Sequence, residues 1–307
     1  MPHHHHHEHI PTRESRLWLT MLLNFAITAA ELAGGLISGS LSLLSDAVHN
    51  LSDGVAIIIG IAAMRLSRRP QTLRHTFGMK RAEILAAVIN SATLILLGGF
   101  LIREALGRLQ NPPAVGGHIM LVTASIGLLA NVAGTLLLRR GAAGSLNVRA
   151  AYFHLLSDAV SSLAVILGAV VMLLWDAAWV DPVLTILLSL YIVMEALKIL
   201  WEAVEIMMMF TPPGLDLMAI KESLEKNPGV KQVHHVHAWR LNDQDLHFEA
   251  HVDVEDMKVS ETAGLLEAIS HELKEHFGIS HITIQFECGV CARTGLLGHE
   301  SAIDHDG

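Results

Sequence analysis

Residues 43–53 read "LLSDAVHNLSD" and carry three ionisable side chains, Asp46, His49 and Asp53, inside an apolar stretch from about Leu41 to Met64. A charged side chain at the centre of a bilayer costs roughly 2.5 to 3.5 kcal/mol on insertion scales. Residues 154–160, "HLLSDAV", repeat part of the pattern further along the chain. Polar groups placed twice in apolar segments need either a function or a partner.

The composition favours a membrane protein with an acidic soluble part. The 307 residues are 51% hydrophobic, and the mean hydropathy is +0.44. From Thr211 to the end there are 17 Asp and Glu against 7 Lys and Arg, which leaves 13 against 14 before it. Twenty histidines point towards metals or protons. The only two cysteines, Cys288 and Cys291, exclude a disulfide framework.

Six apolar stretches are long enough to span a bilayer, since about twenty residues cross it as a helix. Basic residues cluster before the first, after the second and after the fourth stretch, which predicts that both termini are cytoplasmic. The N-terminus lacks the pattern of a cleavable signal peptide. We predict spans near residues 16–38, 41–65, 82–106, 117–138, 148–174 and 182–209.

After "TPPG" at residues 211–214 the pattern changes to short alternating segments, which indicates a domain boundary. The pattern predicts a helix over 215–227, two strands, a helix with Ser260 as its N-cap, and a last strand at "HITIQFE". This αββαβ order suits a small open-faced α+β sandwich. The predicted domains are a His-rich cytosolic tail (1–15), a six-helix transmembrane domain (16–209), a cytosolic metal-binding domain (210–292) and a C-terminal tail (293–307).

The intramembrane polar residues fall at helical spacing. His49 and Asp53 are four residues apart, and so are His154 and Asp158, so each pair shares a helix face. Two such helices could together supply two imidazoles and two carboxylates, a ligand set that suits tetrahedral zinc. The alternative is that these groups only link helices through hydrogen bonds.

Asp46 can be aligned with the other carboxylates in two ways. The repeated "LLSDAV" aligns Asp46 with Asp158, whereas the His-x-x-x-Asp spacing aligns Asp53 with Asp158. The second register supplies both ligand types twice, so we prefer it. Asp46 is then a ligand, a hydrogen-bonding support for the ligands, or part of an ion entrance.

The chain resembles the cation diffusion facilitator family, in its zinc-exporting branch, over essentially its whole length. The motifs that carry the resemblance are "SLSLLSDAVHNLSD", "RHTFGMKRAEILAA", "LNVRAAYFHLLSDAVSS", "HHVHAWRL" and "HITIQFE". The resemblance implies a homodimer in the plasma membrane, the inner membrane of a bacterium, with ferredoxin-like cytosolic domains. It implies that each protomer exchanges a divalent metal for protons.

The resemblance also assigns ligands. Family zinc ligands map onto His49, Asp53, His154 and Asp158, and His49 favours Zn²⁺, with Cd²⁺ or Co²⁺ as mimics. The side-chain chemistry supports antiport independently, because these ligands bind metal only when deprotonated, so metal and proton compete for one site.

The cytosolic segment holds a second set of candidate ligands. The family carries regulatory metal sites here, and the matching positions are His234, His237, His251, His281 and Glu287, with Cys288 and Cys291 at metal-ligand spacing beyond them. Any one histidine is more often an ordinary surface residue, and the cysteines could be simple thiols. Strand alternation places His235 on the opposite face from His234, and we expect His247, His271 and His276 to face solvent.

The loop between the second and third spans departs from some family members, which bind a further metal there through an acid and two histidines. His75 remains, but Thr72 and Met79 stand at the other two positions. We therefore expect no such site and treat His75, like Asp46, as a candidate support or entry residue.

Other functions fit less well. An intramembrane metalloenzyme would need a base and an open zinc position, and the chain has no His-Glu-x-x-His helix. A metal-sensing receptor would need a signalling module, and none is recognisable after Glu287. Nucleic-acid binding has no support, because the soluble segment is acidic. The sequence thus predicts a secondary transporter and not an enzyme.

Overall fold

The computed structural model describes residues 11–142, 146–242, 244–289 and 295–297, without the side chains of residues 11–21, 23, 140–142 and 146–151. These residues form two compact units, one within 11–61 and 89–200 and the other within 62–88 and 201–297. Cys291 and most of both predicted tails lie outside the described residues. The elements are α1 (Pro11–Ser38), α2 (Leu41–Ser67), α3 (Ala82–Gln110), α4 (Gly117–Ala142), α5 (Leu146–Trp175), α6 (Val180–Met207), α7 (Leu217–Leu224), β1 (Val230–Arg240), β2 (Leu246–Val254), α8 (Val259–Phe277) and β3 (His281–Glu287).

Among the described residues, five helices are long and apolar enough to cross a membrane. They are α2, α3, α6, the Gly117–Arg139 part of α4 and the Tyr152–Trp175 part of α5. The remaining predicted span coincides with α1, a helix of 28 residues. The chain is therefore a helical membrane protein with a small sheet near its C-terminus.

The start of α2 is fixed by a buried carboxylate. Asp181, in the first turn of α6, accepts hydrogen bonds from the Ser40 and Ser42 hydroxyls, both at 2.6 Å, and from the Leu41 backbone N–H at 2.9 Å. The first N–H groups of a helix have no partner within it, and here Ser40 Oγ also accepts from the Leu43 backbone N–H at 3.2 Å as an N-cap, so the carboxylate adds to this cap. Asp181 thereby ties the two helix ends together.

Small residues let the helices of the first unit pack closely. Met120 of α4 and Val165 and Ala169 of α5 are fully buried in one cluster that also includes Leu43 of α2. On α1, a Cβ added to Gly34 would lie 2.4 Å from Thr123 Oγ1 of α4, so only glycine fits there. Close approach of this kind is typical of helices packed within a bilayer.

The second unit contains a three-stranded sheet in the order β1-β2-β3. The β1 and β2 strands are antiparallel, whereas β2 and β3 are parallel and joined through α8. Buried residues of α7 and α8, such as Ile220 and Leu273, pack with Phe248 and Val252 on one face of the sheet. The element order αββαβ is the predicted one.

Two helix boundaries differ from the predictions. α7 begins later than the predicted 215–227, because Asp216 Oδ1 accepts from Met218 N and Ala219 N and so caps the helix, and it ends at Leu224. α8 begins one residue before Ser260, so Ser260 is not its N-cap. Lys258 occupies the cap position, and its backbone N–H donates to the Glu261 carboxylate at 2.9 Å.

Candidate metal centres

The structure brings the two predicted His/Asp pairs of α2 and α5 together. His49 Nε2 lies 3.6 Å from Asp53 Oδ2, and His154 Nε2 lies 3.7 Å from the same oxygen. His154 Nε2 also lies 3.5 Å from Asp158 Oδ2. The two imidazole rings are edge to face, with centroids 6.4 Å apart. Two ligand atoms of a tetrahedral zinc lie roughly 3.4 Å apart, given bonds of about 2.0 to 2.1 Å, so these separations suit a shared ion.

Access to the four side chains is uneven. The side chains of His49, Asp53 and His154 are 23%, 25% and 36% exposed, while that of Asp158 is 2% exposed. Three potential ligands are thus reachable and one is held inside the unit. An ion could therefore contact three of the four side chains while the helices stay packed.

Asp46 lies one turn from His49 and contacts α5 instead of joining the pairs. The Ser161 hydroxyl donates to Asp46 Oδ1 at 2.6 Å and is also placed 3.1 Å from the Asp158 carbonyl oxygen. Asp46 itself is 4% exposed. Its observed contact is a hydrogen bond that links α2 to the helix carrying Asp158.

A further buried carboxylate, Glu31 of α1, was not predicted from the sequence. It is 1% exposed, and its Oε2 accepts from Asn50 Nδ2 at 3.1 Å. Asp46 and Asp158 act on it electrostatically. The signal available in the sequence was a single acid within an otherwise apolar helix, which has the same insertion cost as the residues of α2.

A β-bulge decides which histidines of β1 share a face. His234 pairs with His251 and His237 pairs with Glu249, so two residues of β1, His235 and Val236, stand opposite one residue of β2. His235 has φ of 51°, a conformation that is uncommon for residues other than glycine. The prediction that His235 lies on the face opposite His234 is wrong, because the bulge shifts the alternation by one residue. The His235 ring stacks on His251 with centroids 4.6 Å apart.

Three cytosolic candidates form a compact cluster on that face. His251 Nδ1 lies 2.7 Å from Glu287 Oε1, and His234 Nε2 lies 3.3 Å from Glu287 Oε2. One ligand atom from each residue lies within 4.8 Å of the others. His234 is 1% exposed, and neither of its ring nitrogens has a hydrogen-bond partner within the described residues. Buried imidazole nitrogens facing a carboxylate form a donor set that fits zinc.

The other cytosolic candidates lie apart from this cluster. His237 is exposed, with its ring centroid 4.9 Å from that of His235. His281 is at the opposite end of β3 from Glu287 and is paired with His247 of β2, so the structure does not bring it to the cluster. Cys288 is an exposed free thiol. In the second unit, His75 is exposed and its Nδ1 lies 3.2 Å from Thr72 Oγ1.

His247 is buried, contrary to the prediction that it faces solvent. It is 5% exposed, and its ring stacks on that of Trp239. The Phe77 ring lies edge to face with the His247 ring, and the two ring centroids are 5.7 Å apart. Burial, followed by the charge of His281, lowers the pKa of His247. The prediction was wrong because Trp239 and Phe77 cover the face of the sheet that strand alternation alone predicts to be exposed to solvent. His271 and His276 are exposed, as predicted.

An ion pair joins the loop after α2 to the turn between β1 and β2. Lys80 Nζ lies 2.5 Å from Asp245 Oδ2, and Asn242 Nδ2 donates to the same oxygen at 3.1 Å. The hydrogen bond from Lys80 is the main cause that lowers the pKa of Asp245. Both charged groups are partly exposed, so the pair is a positioning contact more than a source of stability.

Comparison with known proteins finds relatives over nearly the whole chain. Residues 17–208 match the cation efflux transmembrane domain, and residues 212–288 match the cytoplasmic domain of cation efflux proteins. The metal cation efflux system protein CzcD of Cupriavidus metallidurans is 34% identical over 97% of this chain and 94% of its own length. The zinc transporter ZitB of Escherichia coli is 36% identical over 97% of this chain and 98% of its own. A cadmium, cobalt and zinc/H(+)-K(+) antiporter of Bacillus subtilis is 34% identical over 98% of this chain and 94% of its own.

Apolar helices around a polar cluster define a multi-pass membrane protein of the transporter class. Within that class, the chain belongs to the cation efflux family, also called the cation diffusion facilitators. The membership confirms the family resemblance drawn from the sequence motifs.

Proposed function

We propose that this chain exports Zn²⁺ from the cytoplasm in exchange for protons, with Cd²⁺ and Co²⁺ as alternative substrates. The observation that carries the proposal is the convergence of His49, Asp53, His154 and Asp158, with separations of 3.5 to 3.7 Å between imidazole nitrogens and carboxylate oxygens. Two nitrogen and two oxygen ligands suit zinc better than the all-oxygen preference of Mg²⁺ or Mn²⁺. The names of the relatives, a zinc transporter and a cadmium, cobalt and zinc antiporter, support the same substrates.

Proton exchange follows from the ligand chemistry. Both imidazoles and both carboxylates must lose their protons before they bind metal, so a site that releases zinc can take up protons. Alternating access would present this one site first to the cytoplasm and then to the opposite side. Imidazoles titrate near neutral pH, so a modest change of environment between the two states would change their occupancy.

Asp46 supports the site and marks an entrance in this proposal. Its hydrogen bond to Ser161 links α2 to α5 close to Asp158. Ser161 also lines a cavity of about 480 Å³ between α5 and α6, together with Leu156 and Tyr191.

The proposed architecture follows the family. Six spans with both termini in the cytoplasm would place residues 16–209 in the inner membrane and residues 210–292 in the cytosol. The second domain would be a ferredoxin-like αββαβ fold that pairs with its copy in a homodimer, which its match to a cation efflux cytoplasmic domain supports. His234, His251 and Glu287 would bind a regulatory zinc there, with His237, Cys288 and Cys291 as further predicted ligands.

Zinc flux into proteoliposomes, driven by a pH step, tests the proposal. Wild-type protein is expected to accumulate zinc and to move protons in the opposite direction. Asp53→Ala is expected to lose this flux, because one carboxylate is shared by both imidazoles.

The matched control is Glu104→Ala, which removes an exposed carboxylate of α3 that pairs with Arg108. It should transport zinc at the wild-type rate. Undiminished zinc flux in Asp53→Ala would contradict the assignment of this residue to the transport site. Absence of zinc flux in the wild-type protein would contradict the proposed function.

A further inference from the structure

Four helices, α1, α2, α4 and α5, each carry a buried polar side chain with an atom that has no hydrogen-bond partner within the described residues. Glu31 Oε1, Asn50 Oδ1 and Ser162 Oγ make no hydrogen bond within the described residues, nor does the side-chain amide of Asn131. Each of these residues is at most 1% exposed. A buried polar group without a partner costs on the order of 1 to 3 kcal/mol, and four together need an explanation.

The backbone of α4 places these atoms around one small space. A Cβ added to Gly127 would lie 2.7 Å from Glu31 Oε1 and 3.5 Å from Ser162 Oγ. Asn131 lies one turn further on the same face of α4 as Gly127. The amide of Asn50 is held towards this space, because its Nδ2 donates to the other oxygen of Glu31. Glycine therefore leaves room that a methyl group would fill.

The chemistry of this group differs from that of the zinc ligands. Its unpartnered acceptors are a carboxylate, an amide carbonyl and a hydroxyl, with no imidazole or thiolate among them. Oxygen ligands of this kind suit hard cations and not zinc. One carboxylate with neutral oxygens carries a single negative charge, which balances a monovalent ion.

We propose that Glu31, Asn50 and Ser162, with Asn131, bind an alkali cation, K⁺ or Na⁺, inside the membrane domain. The inference rests on the exporter proposed above, for which this ion would be a counter-ion in addition to protons. The two sites are neighbours along the chain: Asn50 follows His49, and Ser162 is one turn from Asp158. Two cations bound at such neighbouring sites repel each other, so zinc among the His/Asp pairs would displace the alkali cation.

Binding of ⁸⁶Rb⁺ and ²²Na⁺ to the purified full-length protein in detergent, measured by scintillation proximity, tests the proposal. At least one ion should bind saturably and be displaced by Zn²⁺. Glu31→Gln keeps the size of the side chain and removes its charge, so affinity should fall by about tenfold or more. Glu104→Gln, an exposed carboxylate of α3, should bind as wild type does.

Two further variants keep the test independent of any one substitution. Gly127→Ala puts a methyl group into the proposed site and should abolish alkali-ion binding, and Ser162→Ala should weaken it. Saturable binding of neither ion to wild-type protein would overturn the proposal, as would unchanged affinity in Glu31→Gln and Gly127→Ala. Zinc flux driven by a pH step distinguishes failure of this proposal from failure of the proposed function. Normal zinc flux in wild-type protein that binds no alkali ion would contradict the alkali-ion site and still support zinc export.

Discussion

The described residues include two clusters of histidine and carboxylate that are built in different ways. In the first unit, i,i+4 pairs on α2 and α5 bring His49, Asp53, His154 and Asp158 together. In the second unit, a bulge in β1 and the pairing of three strands bring His234 and His251 to Glu287. The helical cluster depends only on spacing and on two helices meeting, whereas the sheet cluster depends on an irregularity in one strand.

The two clusters also differ in access. In the helical cluster three of the four side chains are 23% to 36% exposed and only Asp158, at 2%, is buried, whereas in the sheet cluster His251 is 27% exposed and both His234 and Glu287 are below 10%. A site that must load and release an ion benefits from exposed ligands, and a site that retains one benefits from buried ligands. The difference supports transport at the helical cluster and regulation at the sheet cluster.

The largest effect is expected from removing an imidazole of the helical cluster. His154→Ala should reduce zinc flux by more than about 100-fold, because His154 Nε2 contacts both Asp53 and Asp158. The measurement is zinc uptake by proteoliposomes under a pH step. His118→Ala, which removes an exposed histidine of α4, should transport normally. Equal flux in the two variants would contradict the role given to the helical cluster.

A smaller effect on flux, but a large one on binding, is expected at the sheet cluster. Glu287→Gln should weaken cytosolic zinc binding by about 10- to 100-fold, because the carboxylate contacts both His234 and His251. Saturating flux should persist, since the transport ligands are untouched. Equilibrium zinc binding to the full chain in an Asp53→Ala background isolates this site. Complete loss of transport in Glu287→Gln alone would show that the two clusters do not have separate roles.

The helical cluster was predictable from sequence because helix spacing fixes which residues share a face. Spacing alone predicted the two His-x-x-x-Asp pairs and the register that aligns Asp53 with Asp158, whereas the family resemblance implied that the two pairs form one site. Glu31 was missed because a lone acid in α1 has no spacing partner. His235 and His247 were misplaced because strand alternation fails at a bulge and does not reveal which aromatic side chains cover a face.

Two single-residue deletions test the bulge directly. Deleting His235 should remove the bulge while all the remaining residues of β1 keep their present faces. The free energy of unfolding should therefore change by less than about 1 kcal/mol. Deleting Val236 should instead turn His235 into the core and destabilise the protein by about 2 to 5 kcal/mol. The thermal midpoint of the full-length protein is the measurement. Equal midpoints for the two deletions would contradict the bulge.

The smallest effect concerns the pH dependence of stability. Because burial lowers the pKa of His247, the folded state binds its proton less readily than the unfolded state, in which a histidine titrates near about 6.5. Stability from this residue is present above that pH and is lost as pH falls towards the folded-state pKa. The thermal midpoint should drop between pH 8 and pH 5, and His247→Gln should flatten the profile. An equally steep profile in the variant would assign the pH dependence to other groups.

The most direct test of the account locates the metal itself. Crystals of the full-length protein grown with zinc, measured at the zinc absorption edge, should show an anomalous peak roughly 2.0 to 2.2 Å from ligand atoms of His49, Asp53, His154 and Asp158. The same peak should be missing in Asp53→Ala, while the peak at His234, His251 and Glu287 remains. Zinc bound elsewhere with none between α2 and α5, or a peak that survives the substitution, would contradict the account.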